Sequence, residues 1–351
     1  MGHFYSNETV FSGHPDKVCD QISDALLDAF LKQDKHSRCG IETVGGKGKI
    51  FVTGEVTSRA LVDVETVVKS VLREVGYNPN KYEVIDNLGK QSPDIAQGVD
   101  IGGAGDQGMM FGYACRDTKD YIPTAMAILQ DLSQFYDRLI RIDDRFLPDG
   151  KAQITGYYND NNKLEYIKDF VISYQNKETN RPETDKILMD FCEELCAEYG
   201  VEVREFHINP TGKFLIGGFD GDAGLTGRKI VVDNYQSFAN VGGGAFSGKD
   251  PTKVDRSAAY KARQLAIECL DEFDDVEWCE VQISYAIGLD KPLAIYIRTN
   301  KGTVDVPKCF YDECTPSRII QDLHLTDGTI KFRDTAKFGH FGHSGFPWEA
   351  R

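Results

Sequence analysis

The chain has 351 residues, 41% of them apolar and 27% charged, so it is globular and long enough for two or three structural units with a sizeable core. Its 40 basic and 55 acidic residues leave a net charge of −15, which argues against general binding to nucleic acid, because no net positive field displaces counterions. No stretch reaches the roughly 20 apolar residues of a membrane helix, and Met1 to Lys17 lacks the apolar core of a secretory signal.

Apolar spacing predicts an amphipathic helix over Asp16–Asp34, with Val18, Ile22, Ala25, Leu26, Ala29 and Phe30 on one face. A strand over Lys49–Val56 follows, then a helix over Asp63–Gly76 stopped by Gly76, then a strand over Tyr82–Leu88. Gly89–Gly112 reads as a glycine-rich loop and Pro123–Ile142 as a long helix. Ala152–Tyr158 and Leu164–Tyr174 form a hairpin around Asn159–Asn162. Thr184–Tyr199 is helical; Cys192 and Cys196, one turn apart in it, read as core residues. Asn209–Lys253 is rich in glycine and cations. Asp255–Glu272 is helical, Cys279–Ile287 and Leu293–Arg298 are strands, and the end, FGHFGHSGFPWEAR, is irregular. This order predicts an α+β fold with helices covering sheets, cut near Gly102 and Gly217 into units 1–102, 103–217 and 218–351. The nine cysteines are odd in number and contain no CxxC, as expected for reduced thiols in a cytoplasmic protein. Met1-Gly2-His3-Phe4-Tyr5-Ser6 fits the short myristoylation pattern, but no basic cluster follows to give a second anchor, so lipidation is not expected.

Four motifs carry chemistry. Gly13-His14-Pro15-Asp16-Lys17 places an imidazole, a carboxylate and an ammonium at a helix start, where free N–H groups suit phosphate; Asp16 as a plain cap is the other reading. Gly242-Gly243-Gly244-Ala245-Phe246-Ser247-Gly248-Lys249-Asp250 nearly matches a P-loop. Asp250 stands in its Ser/Thr slot, however, and Phe238–Val241 is a poor strand, so a P-loop fold is not expected. Backbone N–H groups and Lys249 still suit phosphate, and Lys253 and Asp255 add a cation and a magnesium-grade carboxylate. Arg228 and Lys229 stand together in Gly224-Leu225-Thr226-Gly227-Arg228-Lys229, a phosphate contact or a solvated turn. Gly103-Ala104-Gly105-Asp106-Gln107-Gly108 permits close backbone approach to a ligand, or a tight turn. Together they describe an ATP-using enzyme with divalent metal.

The sequence resembles the methionine adenosyltransferase, or S-adenosylmethionine synthetase, family. The motifs are GHPDK (13–17), GKQSPDI (89–95), GAGDQG (103–108), INPTGKFLIGG (208–218), GDAGLTGRK (221–229) and GGGAFSGKDPTKVDRSAAY (242–260). They are long, ordered as in the family, and span nearly the whole chain. The resemblance implies three similarly built sheet-plus-helix units around a pseudo-threefold axis. It implies attack of methionine sulfur on C5′ of ATP, with the released tripolyphosphate hydrolysed to pyrophosphate and phosphate. It implies catalytic roles for His14, Lys151, Arg228 and Lys249. ATP contacts would come from these and from Asp106, Asp149, Lys213, Phe214, Asp222, Lys229 and Ala245, with Asp106 reaching adenosine from a partner subunit. Methionine would be held by Glu55, Gln91, Asp222 and Lys253, magnesium by Asp16 and Asp255, and potassium by Glu42. Further implications are substrates ATP and L-methionine, Mg²⁺ and K⁺ as cofactors, and a homodimer with shared active sites that many members pair into tetramers. No nucleic acid or membrane partner is implied. The competing readings are an ATP-dependent phosphoryl-transfer enzyme, which lacks its motif set here, and a non-catalytic nucleotide-binding homologue.

Two departures stand out: only AQGVDIG separates Ile95 from Gly103, where family members usually carry a longer loop, and the chain stops at Phe346-Pro347-Trp348-Glu349-Ala350-Arg351, where they usually continue into a helix. The first bears on loop gating and the second on tetramer formation. Seven extended residues reach at most about 25 Å, so Ala96–Gly102 should cover less of the methionine side chain than a full lid. Lengthening this loop is expected to lower kcat/KM for S-ethyl homocysteine relative to methionine; an unchanged ratio would show that loop length does not set selectivity.

Overall fold

The computed structural model describes residues 2–90, 103–177 and 181–350. One succession of elements recurs along the chain. First come β1 (His3–Val10), α1 (Pro15–Gln33), the hairpin β2 (Arg38–Gly46) and β3 (Lys49–Thr57), α2 (Val64–Val75) and β4 (Glu83–Gly89). The second round is β5 (Gly108–Cys115), α3 (Thr124–Ile142), the hairpin β6 (Phe146–Tyr158) and β7 (Leu164–Asn176), α4 (Arg181–Glu198) and β8 (Glu202–Ile208). The third is β9 (Gly224–Leu225), the short α5 (Ile230–Asp233), α6 (Val254–Glu272), the hairpin β10 (Trp278–Tyr285) and β11 (Ala294–Thr299), and β12 (Gly302–Val304). Three short helices follow: α7 (Lys308–Glu313), α8 (Pro316–Asp322) and α9 (Phe332–Phe338). The organising helices α1, α3 and α6 are each 19 residues long.

Each hairpin is the centre of one four-stranded sheet, in the orders β4-β3-β2-β9, β1-β6-β7-β8 and β12-β11-β10-β5. Strands β4 and β8 return parallel to their hairpins after a helical crossover, whereas β12 turns straight back antiparallel. The fourth strand of each sheet is imported: β9 pairs with β2, β1 with β6 and β5 with β10, all antiparallel. The strand before each long helix therefore joins the sheet of another third of the chain, and the exchange is cyclic. The fold is mixed α and β, with three similarly built sheet-plus-helix units that complete one another.

Local sequence explains the elements that were legible. Asp63 caps α2 by accepting the Thr66 N–H at 3.1 Å, and Gly76 ends it in the left-handed conformation at φ 105°. Val18, Ile22, Leu26 and Phe30 are buried as the amphipathic pattern predicts, and Cys192 and Cys196 are core residues. The opposite side of α1 is buried too, because the C-terminal third packs over it: Asp16, Lys17, Asp20, Gln21, Ser23 and Asp24 are all at 0% exposure. Lys17 is thus a structural cation, joined to Asp20 at 3.0 Å and to Asp233.

Strands β1, β2, β5, β8, β9 and β12 and the short helices α5, α7, α8 and α9 were not legible. Strand β5 lies partly in the stretch read as a loop, because its glycines serve packing: a Cβ on Gly112 would lie 2.0 Å from the Ala262 carbonyl carbon of α6. Residues 238–241 form no strand, which removes the strand-loop-helix context of a P-loop. The irregular C-terminal segment packs closely: Trp348 stacks on Tyr260 at 3.7 Å and donates its indole N–H to the His340 carbonyl at 2.8 Å.

Arg256 of α6 clamps Asp24 of α1 through two hydrogen bonds, 2.7 and 2.8 Å, both side chains being at 0% exposure. Removing one member of a buried pair strands the other charge. Arg256→Met is expected to cost about 3–5 kcal/mol, read from the urea midpoint at unchanged slope; a loss below about 1 kcal/mol would mean that other contacts satisfy Asp24.

Candidate active site

The first cluster forms where α1 begins. His14 is the N-cap, and its Nδ1 accepts the Asp16 backbone N–H at 3.2 Å, which leaves the ring proton on Nε2. Burial, and then the Lys229 ammonium, push the imidazole down to about 4, so it is neutral at physiological pH. Asp16 is wholly buried, accepts the Leu225 N–H at 3.0 Å, and pairs with Arg228 Nε at 2.9 Å and Lys229 Nζ at 2.5 Å. Burial alone would raise its pKa, but Lys229 and the Leu225 N–H outweigh it and hold the carboxyl below its ordinary value. Gly224 allows this approach, since a Cβ there would lie 2.3 Å from the Pro15 oxygen.

A cavity of about 270 Å³ opens beside this helix start, lined by His14, Asp149, Lys151, Phe214 and Asp222 among others. Lys151 sits on β6 opposite Val10 of β1 and Ser173 of β7. Asp149 accepts the Gly218 N–H at 2.7 Å; burial pushes its carboxyl up to about 6 against that bond. Lys213, next to Phe214, is exposed and lies outside the cavity lining.

The second cluster surrounds a separate cavity of about 380 Å³. Its lining includes Glu42 of β2, Glu55 of β3, Asp106 before β5, and Ala245, Lys249, Lys253 and Asp255 on and before α6. Lys249 Nζ lies 2.6 Å from Asp255 Oδ2. The other carboxylate oxygen faces Gly244, where a Cβ would come within 2.2 Å of it. Gly40 bridges Lys249, and the Ile41 N–H donates to the Gly248 oxygen at 3.0 Å, which docks the glycine-rich loop along β2.

The fold thus gathers the sequence-derived residues in two groups. His14, Asp149, Lys151, Phe214 and Asp222 line one cavity, with Asp16, Arg228 and Lys229 packed at the helix start beside it. Glu42, Glu55, Asp106, Ala245, Lys249, Lys253 and Asp255 line the other, and the two linings have no residue in common. Asp16 and Asp255, both assigned to magnesium, fall in different groups, and so do Asp222 and the methionine candidates Glu55 and Lys253. Gln91 and the loop 96–102 lie outside the described residues. Three participants escaped sequence reasoning. Tyr77 donates its hydroxyl to the Gly13 oxygen at 2.6 Å, and Ser247 lines the second cavity with a buried, unpartnered hydroxyl. Asp250 was noted only as a mismatch to the P-loop, yet it is buried beneath Lys253. The carboxylates that line the cavities, Asp149 and Asp222 in the first and Glu42, Glu55, Asp106 and Asp255 in the second, offer oxygen donors suited to hard cations, while Asp16 lies buried beside the first.

Comparison with known proteins identifies the family. The chain matches family models for the N-terminal domain of S-adenosylmethionine synthetase over residues 2–93, the central domain over 101–214 and the C-terminal domain over 216–350. Its curated relatives include the S-adenosylmethionine synthases of Clostridium tetani, 41% identical over 389 aligned positions (100% of this chain, 97% of the relative), and of Fusobacterium nucleatum, 40% identical over 367 (99% and 95%). The enzyme of the same name from Synechococcus sp. (strain WH7803) is 41% identical over 399 positions (99% and 94%). With all three domains matched and relatives aligned over nearly their whole length, the chain belongs to the S-adenosylmethionine synthetase family.

Proposed function

We propose that this chain makes S-adenosylmethionine from ATP and L-methionine and hydrolyses the released tripolyphosphate to pyrophosphate and phosphate. The observation that carries the reading is the pair of cavities that gather residues of five of the six family motifs, with Lys151 facing one and Lys249 and Lys253 the other among carboxylates. A thioether sulfur has no proton to lose, so attack on C5′ needs no general base. Negative charge grows on the departing triphosphate, and fixed cations and N–H donors are what that step requires. His14 offers a neutral Nε2–H there, beside Lys151, Arg228 and Lys229, while Lys249 comes from the second cavity. Asp106, Asp149, Lys213, Phe214, Asp222 and Ala245 hold ATP, and Glu55, Gln91, Asp222 and Lys253 hold methionine. Asp16 and Asp255 would hold Mg²⁺ and Glu42 K⁺; a bound divalent ion supplies charge neutralisation on the phosphate oxygens.

Because residues assigned to one substrate pair occupy two cavities, the working site is best formed by the first cavity of one protomer and the second cavity of its partner. A homodimer is then the smallest active species, and pairing of dimers into a tetramer remains part of the proposal. The division into units 1–102, 103–217 and 218–351 is retained as a proposal, with the strand exchange crossing both cuts. The nine free cysteines, eight of them buried, favour a reducing compartment, the cytoplasm. No helix among the described residues is long and apolar enough to cross a membrane.

Chromatographic detection of S-adenosylmethionine from ATP, methionine, Mg²⁺ and K⁺ tests the activity; phosphorylated methionine in its place would favour phosphoryl transfer. Lys249→Met and Lys151→Met are each expected to lower turnover by roughly 10²–10³. Mixing these two variants should restore roughly a quarter of wild-type activity, since half the chains form hybrids in which one site is intact. Mixing Lys249→Met with Asp106→Ala, both in the second cavity, should restore none. Equal recovery in both mixtures would overturn the division.

His14 predicts a pH effect on stability. Its folded pKa of about 4 lies below the ordinary 6.5, so its contribution is complete above pH 6.5 and lost as pH falls towards 4. Wild-type Tm should fall more steeply over that window than that of His14→Asn. Parallel curves would mean that the imidazole titrates normally.

A further inference from the structure

Asp250 follows the phosphate-loop lysine and is 1% exposed. Its Oδ2 accepts the Cys39 backbone N–H at 2.7 Å and the Lys253 ammonium at 2.5 Å. Its Oδ1 accepts the Thr252 backbone N–H at 2.9 Å and the Thr252 hydroxyl at 2.6 Å, with Arg38 at 3.9 Å. Those four bonds use the four lone-pair directions of a carboxylate, so Asp250 has none left for a metal or a substrate. Its work is internal: it holds the turn that presents Lys253, the N-cap of α6, to the second cavity.

The same residue ties that turn to β2 twice, its carboxylate accepting the Cys39 N–H at 2.7 Å and its backbone N–H donating to the Cys39 oxygen at 3.0 Å. The next β2 residue, Gly40, is paired with Glu55 of β3, and a Cβ on Gly40 would lie only 3.5 Å from the Glu55 carboxylate. Asp250 therefore fixes the distance between one cation, Lys253, and one anion, Glu55, both facing the same cavity. A zwitterionic α-amino acid needs that pairing, an ammonium for its carboxylate and a carboxylate for its ammonium. A lysine left free would spend rotamer entropy on each binding event. We propose that Asp250 is the positioning residue that presents Lys253 to the carboxylate of methionine, an inference that rests on Lys253 being a methionine contact.

Steady-state kinetics of Asp250→Asn, Lys253→Ala and the double variant test this. Asp250→Asn keeps the shape but removes the charge that holds the ammonium. The KM for methionine should rise about tenfold, the size of one charge-assisted hydrogen bond, with KM for ATP and kcat at saturating methionine within about twofold. In the Lys253→Ala background, Asp250→Asn should add nothing, because it acts through the lysine. A purely structural role would instead raise both KM values and stay additive in the double variant, which overturns the proposal. An unchanged methionine KM in Asp250→Asn, with Lys253→Ala impaired, overturns positioning alone; an unimpaired Lys253→Ala overturns the underlying assignment of the lysine as well. If Asp250→Asn lacks a cooperative thermal transition, Thr252→Val takes its place, loosening Oδ1 while leaving the carboxylate. A rise of about threefold confined to the methionine KM then supports the proposal, and no rise overturns it.

Discussion

Asp16, Asp20, Asp24 and Asp28 stand one turn apart along α1, and each accepts a backbone N–H from the C-terminal third of the chain. The donors are Leu225 at 3.0 Å, Gly227 at 2.9 Å, Gly248 at 2.8 Å and Phe332 at 2.9 Å. Like charges at this spacing repel in an isolated helix, and buried carboxylates are costly without partners. The row is therefore tolerable only once the C-terminal loops have arrived. Cations answer three of the four: Arg228 and Lys229 pair with Asp16, Lys17 with Asp20, and Arg256 with Asp24. Asp28 is held by the N–H groups of Phe332 and Arg333, and burial pushes it up to about 7.

That row decides where the chemistry sits. The segment 224–229 is pinned by Asp16 and Asp20, and it carries Arg228 and Lys229. The loop before α6 is pinned by Asp24 through Gly248, and Arg256 also donates to the Lys249 oxygen at 3.1 Å. One helix thus anchors cationic loops belonging to both cavities. The cyclic exchange of β1, β5 and β9 works in the same direction, because no third of the chain completes its sheet alone. Preorganisation of this kind suits a reaction whose demand falls on a departing polyphosphate, since cations already fixed need no rearrangement as charge develops. Burial acts on both groups at the helix start with opposite outcomes. His14 is kept neutral by it and able to donate from Nε2, whereas Asp16 stays below its ordinary value because the Lys229 ammonium and the Leu225 N–H outweigh it.

Much of this was legible in the residues. The helix read over 16–34, the Gly76 stop of the second helix and the hairpin read over 152–158 and 164–174 follow from apolar periodicity, Gly76 and the Asn-rich turn, although the first hairpin strand begins earlier, at Phe146. The glycine-rich segments with Lys249 and with Arg228 and Lys229 carry the proposed phosphate chemistry, because close backbone approach and fixed cations leave a local mark. Long ordered motifs carry the family resemblance. Strand β5 was hidden by glycines whose purpose is to admit α6, a reason that lies more than a hundred residues away.

What the sequence by itself determined is the set of elements with strong local periodicity, the motif residues and the chemistry of their functional groups. Only the tertiary structure decided that Lys17 is a buried ion-pair partner, that Asp250 supports Lys253, and that the candidate residues divide between two cavities. The physical reason is that a side chain's role depends on its burial and on partners distant in sequence. Lys17 and Lys229 carry the same group, but one is at 0% exposure against Asp20 and Asp233, while the other reaches Asp16 at the helix start with 22% of its side chain exposed.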